Sequence, residues 1–278
     1  MSDKSILITG CSSGIGHDAA LGLRDRGWKV FASCRQEADC ERMRALEFDS
    51  PRLDYADPSS ITTALTHVLE QTGGKLDALF NNGAHGLPGA VEDLPADGLR
   101  AIFEANVFGW HDLTRQVIPV MRAQGHGRIV QNSSVLGLVP MPWRGAYVAT
   151  KYAIEGLTDT LRIEMEDTGI HVVLIEPGPI DTMIRQKSIP HFEKWIDWRR
   201  SPRREHYESS LLKRLYEGSG GGDFFELPPS AVTDKLVHAL ESNRPRPRYY
   251  VTRPTHIAGL LRRLLSTRAS DRILARMK

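Results

Sequence analysis

Cysteine is scarce in this chain. Cys11, Cys34 and Cys40 are the three present, with no CxxC pair and no Cys/His spacing of a metal site. A disulfide-rich scaffold is excluded, and the cysteines read as small buried apolar groups. No apolar run reaches the roughly 18 residues that a membrane span needs. The opening MSDKSILITG passes into a strand-like run at once, so no secretory leader is expected. These absences fit a reduced, cytosolic compartment. An excess of one charge is also missing: the formal net charge is +2, too small to argue for nucleic acid as a partner. Apolar and charged fractions of 41% and 25% exclude disordered and collagen-like chains, and 278 residues suffice for one large domain.

The small total hides an asymmetry. From Arg244 onward ten cations face one acid, Asp271, so an acidic body carries a basic tail. Along the body, short apolar runs at 5–9, 28–33, 76–80, 128–131, 171–175 and 249–252 read as buried strands, with a weaker one at 52–54. Helical patterns lie between them at 15–26, 59–71, 96–124 (two helices), 146–167 and 229–242. This alternation predicts an α/β fold with a parallel sheet covered on both faces. Two regions break the rhythm. Residues 183–227 hold Phe192, Trp195, Trp198, Phe224 and Phe225, the basic run 199–204 and the glycine-rich 218–222, and follow a strand end, where loops cover ligands. These aromatics either line an apolar substrate site or pack the lid and a subunit interface. After Arg253, Pro254 opens a helix with Ile257, Leu260, Leu261, Leu264 and Leu265 at helical spacing. That tail either packs on the body or lies on a membrane surface, with Arg262, Arg263 and Arg268 at head groups.

The first strand meets the first helix in TGCSSGIG, Thr9 to Gly16. Glycines there let the backbone turn and approach a pyrophosphate at the helix N-terminus. About 20 positions on, where an acid would read a free ribose hydroxyl, the chain has Cys34 and Arg35. A cation suits a 2′-phosphate, so NADP is expected over NAD, although Glu37 and Asp39 are close and Arg35 also reads as a solvated charge.

Tyr147 and Lys151, four residues apart in a helical pattern, share a face. A free tyrosine titrates near 10; a lysine ammonium beside it is expected to lower that value toward neutral pH. Ser133 and Ser134 follow the strand at 128–131, where a hydroxyl can reach a substrate carbonyl or cap a turn. Asn106 lies mid-helix, an unfavourable place unless its amide is used. Asn81-Asn82-Gly83-Ala84 and Pro177-Gly178 end two further strands.

Together these residues resemble the short-chain dehydrogenase/reductase family from about Lys4 to Thr252. TGCSSGIG matches its TGxxxGxG cofactor motif, NNGA resembles NNAG with the small residues reversed, and Tyr147 to Lys151 is its YxxxK. The resemblance implies a doubly wound Rossmann fold with a seven-stranded parallel sheet in the order 3-2-1-4-5-6-7. It also implies a catalytic tetrad of Asn106, Ser134, Tyr147 and Lys151, the serine being set by its 13-residue distance to the tyrosine. Cofactor contacts are implied for Gly10, Ser12, Ser13, Gly14, Ile15, Gly16, Arg35, Asp54, Asn82, Gly83, Tyr147, Lys151, Pro177, Gly178 and Thr182, and no metal is expected. Lys151 would bond the nicotinamide ribose, Asn106 would hold a water in a proton relay, and Thr182 would hold the carboxamide. The SSVxGL, GAYxATKYAIEG and IEPGPIDT segments are similar to the branch of oestradiol 17β-dehydrogenases, retinol dehydrogenases and bacterial NADP-dependent aldehyde reductases. Residues 1–253 are then one catalytic domain with a lid at 183–227, and 254–278 form a basic amphipathic C-terminal helix. The expected chemistry is hydride transfer between NADPH and an aldehyde or ketone in a homodimer or homotetramer built on the helices bearing Asn106 and Tyr147. A cofactor-sensing protein without turnover would be expected to lack a tetrad member, and none is missing. A membrane-bound scaffold leaves the Tyr147–Lys151 pair unexplained.

Overall fold

A computed structural model describes residues 4–217 and 225–276. Phe224 and the glycine-rich 218–222 lie outside them. Six strands form one wholly parallel sheet: β1 (Ser5–Thr9), β2 (Lys29–Ser33), β3 (Ala78–Asn81), β4 (Gly127–Asn132), β5 (Ile170–Glu176) and β6 (Arg248–Tyr250), in the order β2-β1-β3-β4-β5-β6. All five residues of β1 are buried, as expected where helices cover both faces. One face packs on α1 (Gly14–Arg24) and α9 (Ser230–Glu241), through Leu23, Val232 and Leu236. The other packs on α3 (Pro58–Gln71), α5 (Gly109–Gln124) and α6 (Gly145–Glu164), through Ile61, Trp110, Leu113 and Ile154. Capping follows the local sequence: Asp57 accepts from Ser59 and Ser60 backbone N–H groups with Pro58 at the first turn, and Gly125 ends α5 at φ 74°.

The expected seventh strand is reduced to two isolated bridges outside β2, Phe31 to Asp49 and Cys34 to Arg52. Pro51 lies between them and has no N–H to donate, so the ladder cannot run through. The six strands otherwise keep the expected order. A helix that the hydrophobic pattern did not show, α2 (Glu37–Ala45), buries only Cys40 and Met43, a stripe too narrow to register as a periodicity. The 96–124 segment is α4 (Ala96–Phe103) and α5 joined without a break by a π-helical turn, Glu104–Phe108.

The segment expected to form a lid begins with α7 (Ile184–Trp195), followed by the single turn α8 (Arg204–His206) and two π-helical turns, Tyr207–Leu211 and Lys213–Glu217. Phe192, Ile196, Tyr207, Leu211 and Leu215 make a third core with Leu87 and Ala146. The tail is two helices where one was expected: α10 (Arg253–Leu264) and α11 (Thr267–Leu274). The chain turns extended at Leu265 and Ser266, whose hydroxyl caps the second helix. Among the described residues no helix is long and apolar enough to cross a membrane.

Candidate active site

The strand ends converge on the TGCSSGIG loop. Gly10 and Gly14 sit at φ +71° and +58°, in the left-handed region that glycine tolerates. A Cβ on Gly10 would lie 2.6 Å from the Cα of Gly83, and one on Gly16 would lie 2.4 Å from the Gly10 carbonyl oxygen. Ser13, the residue before α1, makes no side-chain cap, so the first-turn N–H groups are left to an anion. Ile15 packs against the core beneath. Thr182 arrives from beyond β5, its Cγ2 3.0 Å from where a Gly14 Cβ would stand. Gly178 approaches Thr252 so closely that a Cβ would fall 2.1 Å from the threonine hydroxyl. The Pro177 carbonyl meanwhile accepts from Val135 N at 2.7 Å. This bare-backbone cradle at a helix N-terminus fits a dinucleotide pyrophosphate.

The NNGA loop is bolted to the cradle. Thr9 Oγ1 accepts from the backbone of Asn82 and Gly83 at 2.9 and 3.1 Å, and Asn82 Nδ2 donates to the Thr9 carbonyl at 2.9 Å. A Cβ at residue 83 would lie 3.3 Å from Gly10 N, so the reversed order puts the barer residue at the tighter approach. Beyond β2, Arg35 is exposed, and the Cys34 carbonyl accepts from Leu53 N at 2.9 Å, which brings Asp54 to the same edge. Asp54 is half-buried and accepts from Ala56 N.

Tyr147 and Lys151 face the crevice from α6. Ser134 stands beside the Tyr147 phenol, and its hydroxyl caps the turn Val135–Gly137 by accepting from Leu136 N at 3.1 Å. Ser133 turns instead toward Glu155. Lys151 is buried; its Nζ donates to the Asn132 carbonyl at 2.8 Å and stands 4.4 Å from the Trp110 ring centroid and 5.4 Å from that of Tyr147. Asn132 in turn donates to Asn82 Oδ1 at 2.8 Å, so Lys151 is linked to the glycine loop through two asparagines. Asn106 lies in the π turn with its amide in use: Nδ2 donates to the His85 carbonyl at 2.9 Å and Oδ1 accepts from His85 N at 3.1 Å. π turns recur at functional sites because they shift one side chain out of helical phase.

Electrostatics differ from the sequence expectation. Burial raises the Tyr147 phenol above its ordinary value, with the neighbouring Ser134 hydroxyl opposing it. The same burial pushes Lys151 down to about 7, partly offset by Glu155. Tyr147 is therefore a protonated donor at neutral pH. Among the described residues no three His, Cys, Asp or Glu side chains are grouped to hold a metal ion.

Sequence reasoning missed several positioning groups. Trp110, four residues after Asn106 in the same helical region, supports Lys151 and donates its indole N–H to the Gly83 carbonyl at 2.7 Å. Asn132 gave no signal beyond its place next to Ser133. The aromatics of 183–227 mostly pack in the third core: Phe192 is fully buried, Trp195 lies on Gly98 and Trp198 on Tyr207, whereas Phe225 is exposed. Tyr147 borders that third core, so the crevice has an apolar wall.

Residues 4–192 match the family model for short chain dehydrogenase. The chain is 40% identical over 271 residues to the uncharacterized oxidoreductase YbbO of Escherichia coli (strain K12), covering 98% of this chain and 94% of that protein. With 17-beta-hydroxysteroid dehydrogenase type 1 of Homo sapiens it shares 31% identity over 268 residues, 91% of this chain and 78% of that one. A solved short chain dehydrogenase/reductase from Burkholderia phymatum, in complex with NAD, aligns at a TM-score of 0.78 and 26% identity, covering 99% of this chain and 95% of the other. The chain belongs to the short chain dehydrogenase family and is an oxidoreductase with a dinucleotide-binding Rossmann fold.

Proposed function

We propose that this protein is an NADP-dependent reductase of apolar aldehydes or ketones. The observation that carries the reading is the placing of Tyr147 at the edge of the apolar third core, with Ser134 beside its phenol and Lys151, 5.4 Å from its ring, tied back to the cofactor cradle. When bound, the dinucleotide supplies the hydride. Tyr147 hands its proton to the carbonyl oxygen, and the Ser134 hydroxyl polarises the same oxygen. Lys151 places a cation beside the phenolate left behind, and Asn106 fixes the loop after β3 through His85. A panel of aliphatic, retinoid and steroid carbonyls assayed with NADPH and with NADH tests this; no turnover of any carbonyl would remove it.

Arg35 supports the NADP preference: it stands exposed where β2 ends, beside the glycine loop. One charge-assisted contact to a phosphate is worth about 1.5–3 kcal/mol, so Arg35→Ala is expected to cut the NADPH-over-NADH preference roughly 10- to 100-fold. An unchanged ratio of the two kcat/KM values would reassign Arg35 as a surface charge.

A second reading, peripheral contact with an anionic membrane, rests on the tail. Ile257, Leu260 and Leu264 are exposed on α10 while Thr255 and Gly259 face the body. Arg262 is engaged with the body instead, over the Tyr152 ring at 5.3 Å. Co-sedimentation should then favour anionic over neutral vesicles through Arg263 and Arg268. Equal partitioning would remove the electrostatic version.

A further inference from the structure

The helix α7 runs beside the glycine loop. Lys187, Ser188 and His191 fall on one face of it, with Ser188 buried and Lys187 exposed. Lys187 Nζ donates to Ser12 Oγ at 3.0 Å and Ser13 Oγ at 2.7 Å. Ser188 lies against Gly86, where a Cβ would fall 2.6 Å from its hydroxyl, and His191 stacks on His85 with ring centroids 3.7 Å apart. Lys187 therefore reaches the phosphate loop from an element that the cofactor motifs do not include.

Two neutral hydroxyls are weak partners for an ammonium, and among the described residues no carboxylate lies within 4 Å of it. Partial burial, with Arg35 and Arg42 adding like charge, holds Lys187 below the usual lysine range. Asp39 opposes them, but its carboxylate is already 2.5 Å from Arg42. A dianion would relieve this cluster of cations. The groups that act on Lys187, namely Cys34, Arg35, Asp39 and Arg42, all follow β2, and Cys11 N is bonded to the Ser33 carbonyl at 3.0 Å. This is the ribose end of the loop. The pyrophosphate end, at Gly14, faces Thr182.

We propose that Lys187 is a cofactor-specificity residue carried by the lid, which binds the adenosine 2′-phosphate together with Arg35. The inference rests on the NADP reading above. Lid closure and recognition of the phosphate are then one event, because the helix that covers the crevice also brings the second cation.

The test is equilibrium titration of the wild-type protein, Lys187→Met and Lys187→Arg with NADPH, NADH and adenosine 2′,5′-bisphosphate. Lys187→Met should weaken NADPH and the bisphosphate roughly 10- to 100-fold, leave NADH within about twofold, and be largely rescued in Lys187→Arg. NADH binding serves as the folding control. Equal weakening of NADPH and NADH would overturn the proposal by placing Lys187 at the pyrophosphate or in a purely structural role, as would no weakening at all. If the wild type itself binds NADH as tightly as NADPH, the NADP reading has failed. If the wild type prefers NADPH and Lys187→Met keeps that preference, only this inference has.

Discussion

Tyr147→Phe is expected to lower kcat by at least roughly 10²–10⁴-fold while dinucleotide affinity is retained. The ring keeps its packing against the third core, since phenylalanine preserves everything but the hydroxyl. What disappears is the proton donor that stands beside Ser134. Beside Ser134 the nearest other proton donor is directed elsewhere: Lys151 Nζ donates to the Asn132 carbonyl and lies against the Trp110 ring. Steady-state kinetics with NADPH and a responsive carbonyl, set beside a fluorescence titration of cofactor, separate chemistry from binding. Turnover close to wild type would sink the assignment of Tyr147 as the acid.

The second large effect lies behind the site. Arg248 on β6 donates to Glu155, to Glu176 at 2.7 Å and to Asp159 at 2.6 Å. Glu176 is fully buried at the end of β5, and Glu155 is one helical turn beyond Lys151. Arg248→Met would leave these carboxylates without their cation, a loss of about 3–5 kcal/mol. For a chain of this size the melting midpoint falls by on the order of 10 °C. Burial and the nearby Glu155 push Glu176 up to about 8 from its ordinary 4.5, even with Arg248 pulling it down. The folded state therefore holds a proton that the unfolded state releases between those two values, so this group erodes stability as pH rises through that window. Without Arg248 the folded value climbs further, and the deficit of the variant should widen with pH. Denaturant titrations of both proteins at about pH 6 and about pH 9 check this. A deficit that is absent, or that shrinks as pH rises, would show that the cluster is not held together by the arginine.

Strands were legible in the sequence because a parallel sheet buried on both faces leaves continuous apolar runs, as at 5–9 and 171–175. The Tyr147–Lys151 pair was legible because four-residue spacing is a local property of a helix. Arg248 counted only as one cation of a basic tail; its acids lie 72 to 93 residues away in sequence, and no spacing rule reaches them. Lys187 and Trp110 escaped for the same reason, since each acts across a crevice closed by distant segments. The opposite error arose with the phenol. Pairing it with a lysine suggested a lowered pKa, but desolvation, which depends on the whole surrounding packing, was the larger effect.

The π turn at Glu104–Phe108 has a mechanical meaning for the rest of the molecule. One residue added to an α-helical turn rotates everything after it by about 100° relative to what came before. α4 can thus present Leu99 and Ile102 to the third core while α5, its direct continuation, turns Trp110 and Leu113 into the sheet. Removing a single residue there would put the two halves back in phase and force them to compete for one orientation. The insertion lets one rod serve two surfaces, and Asn106 occupies the place where their phases change.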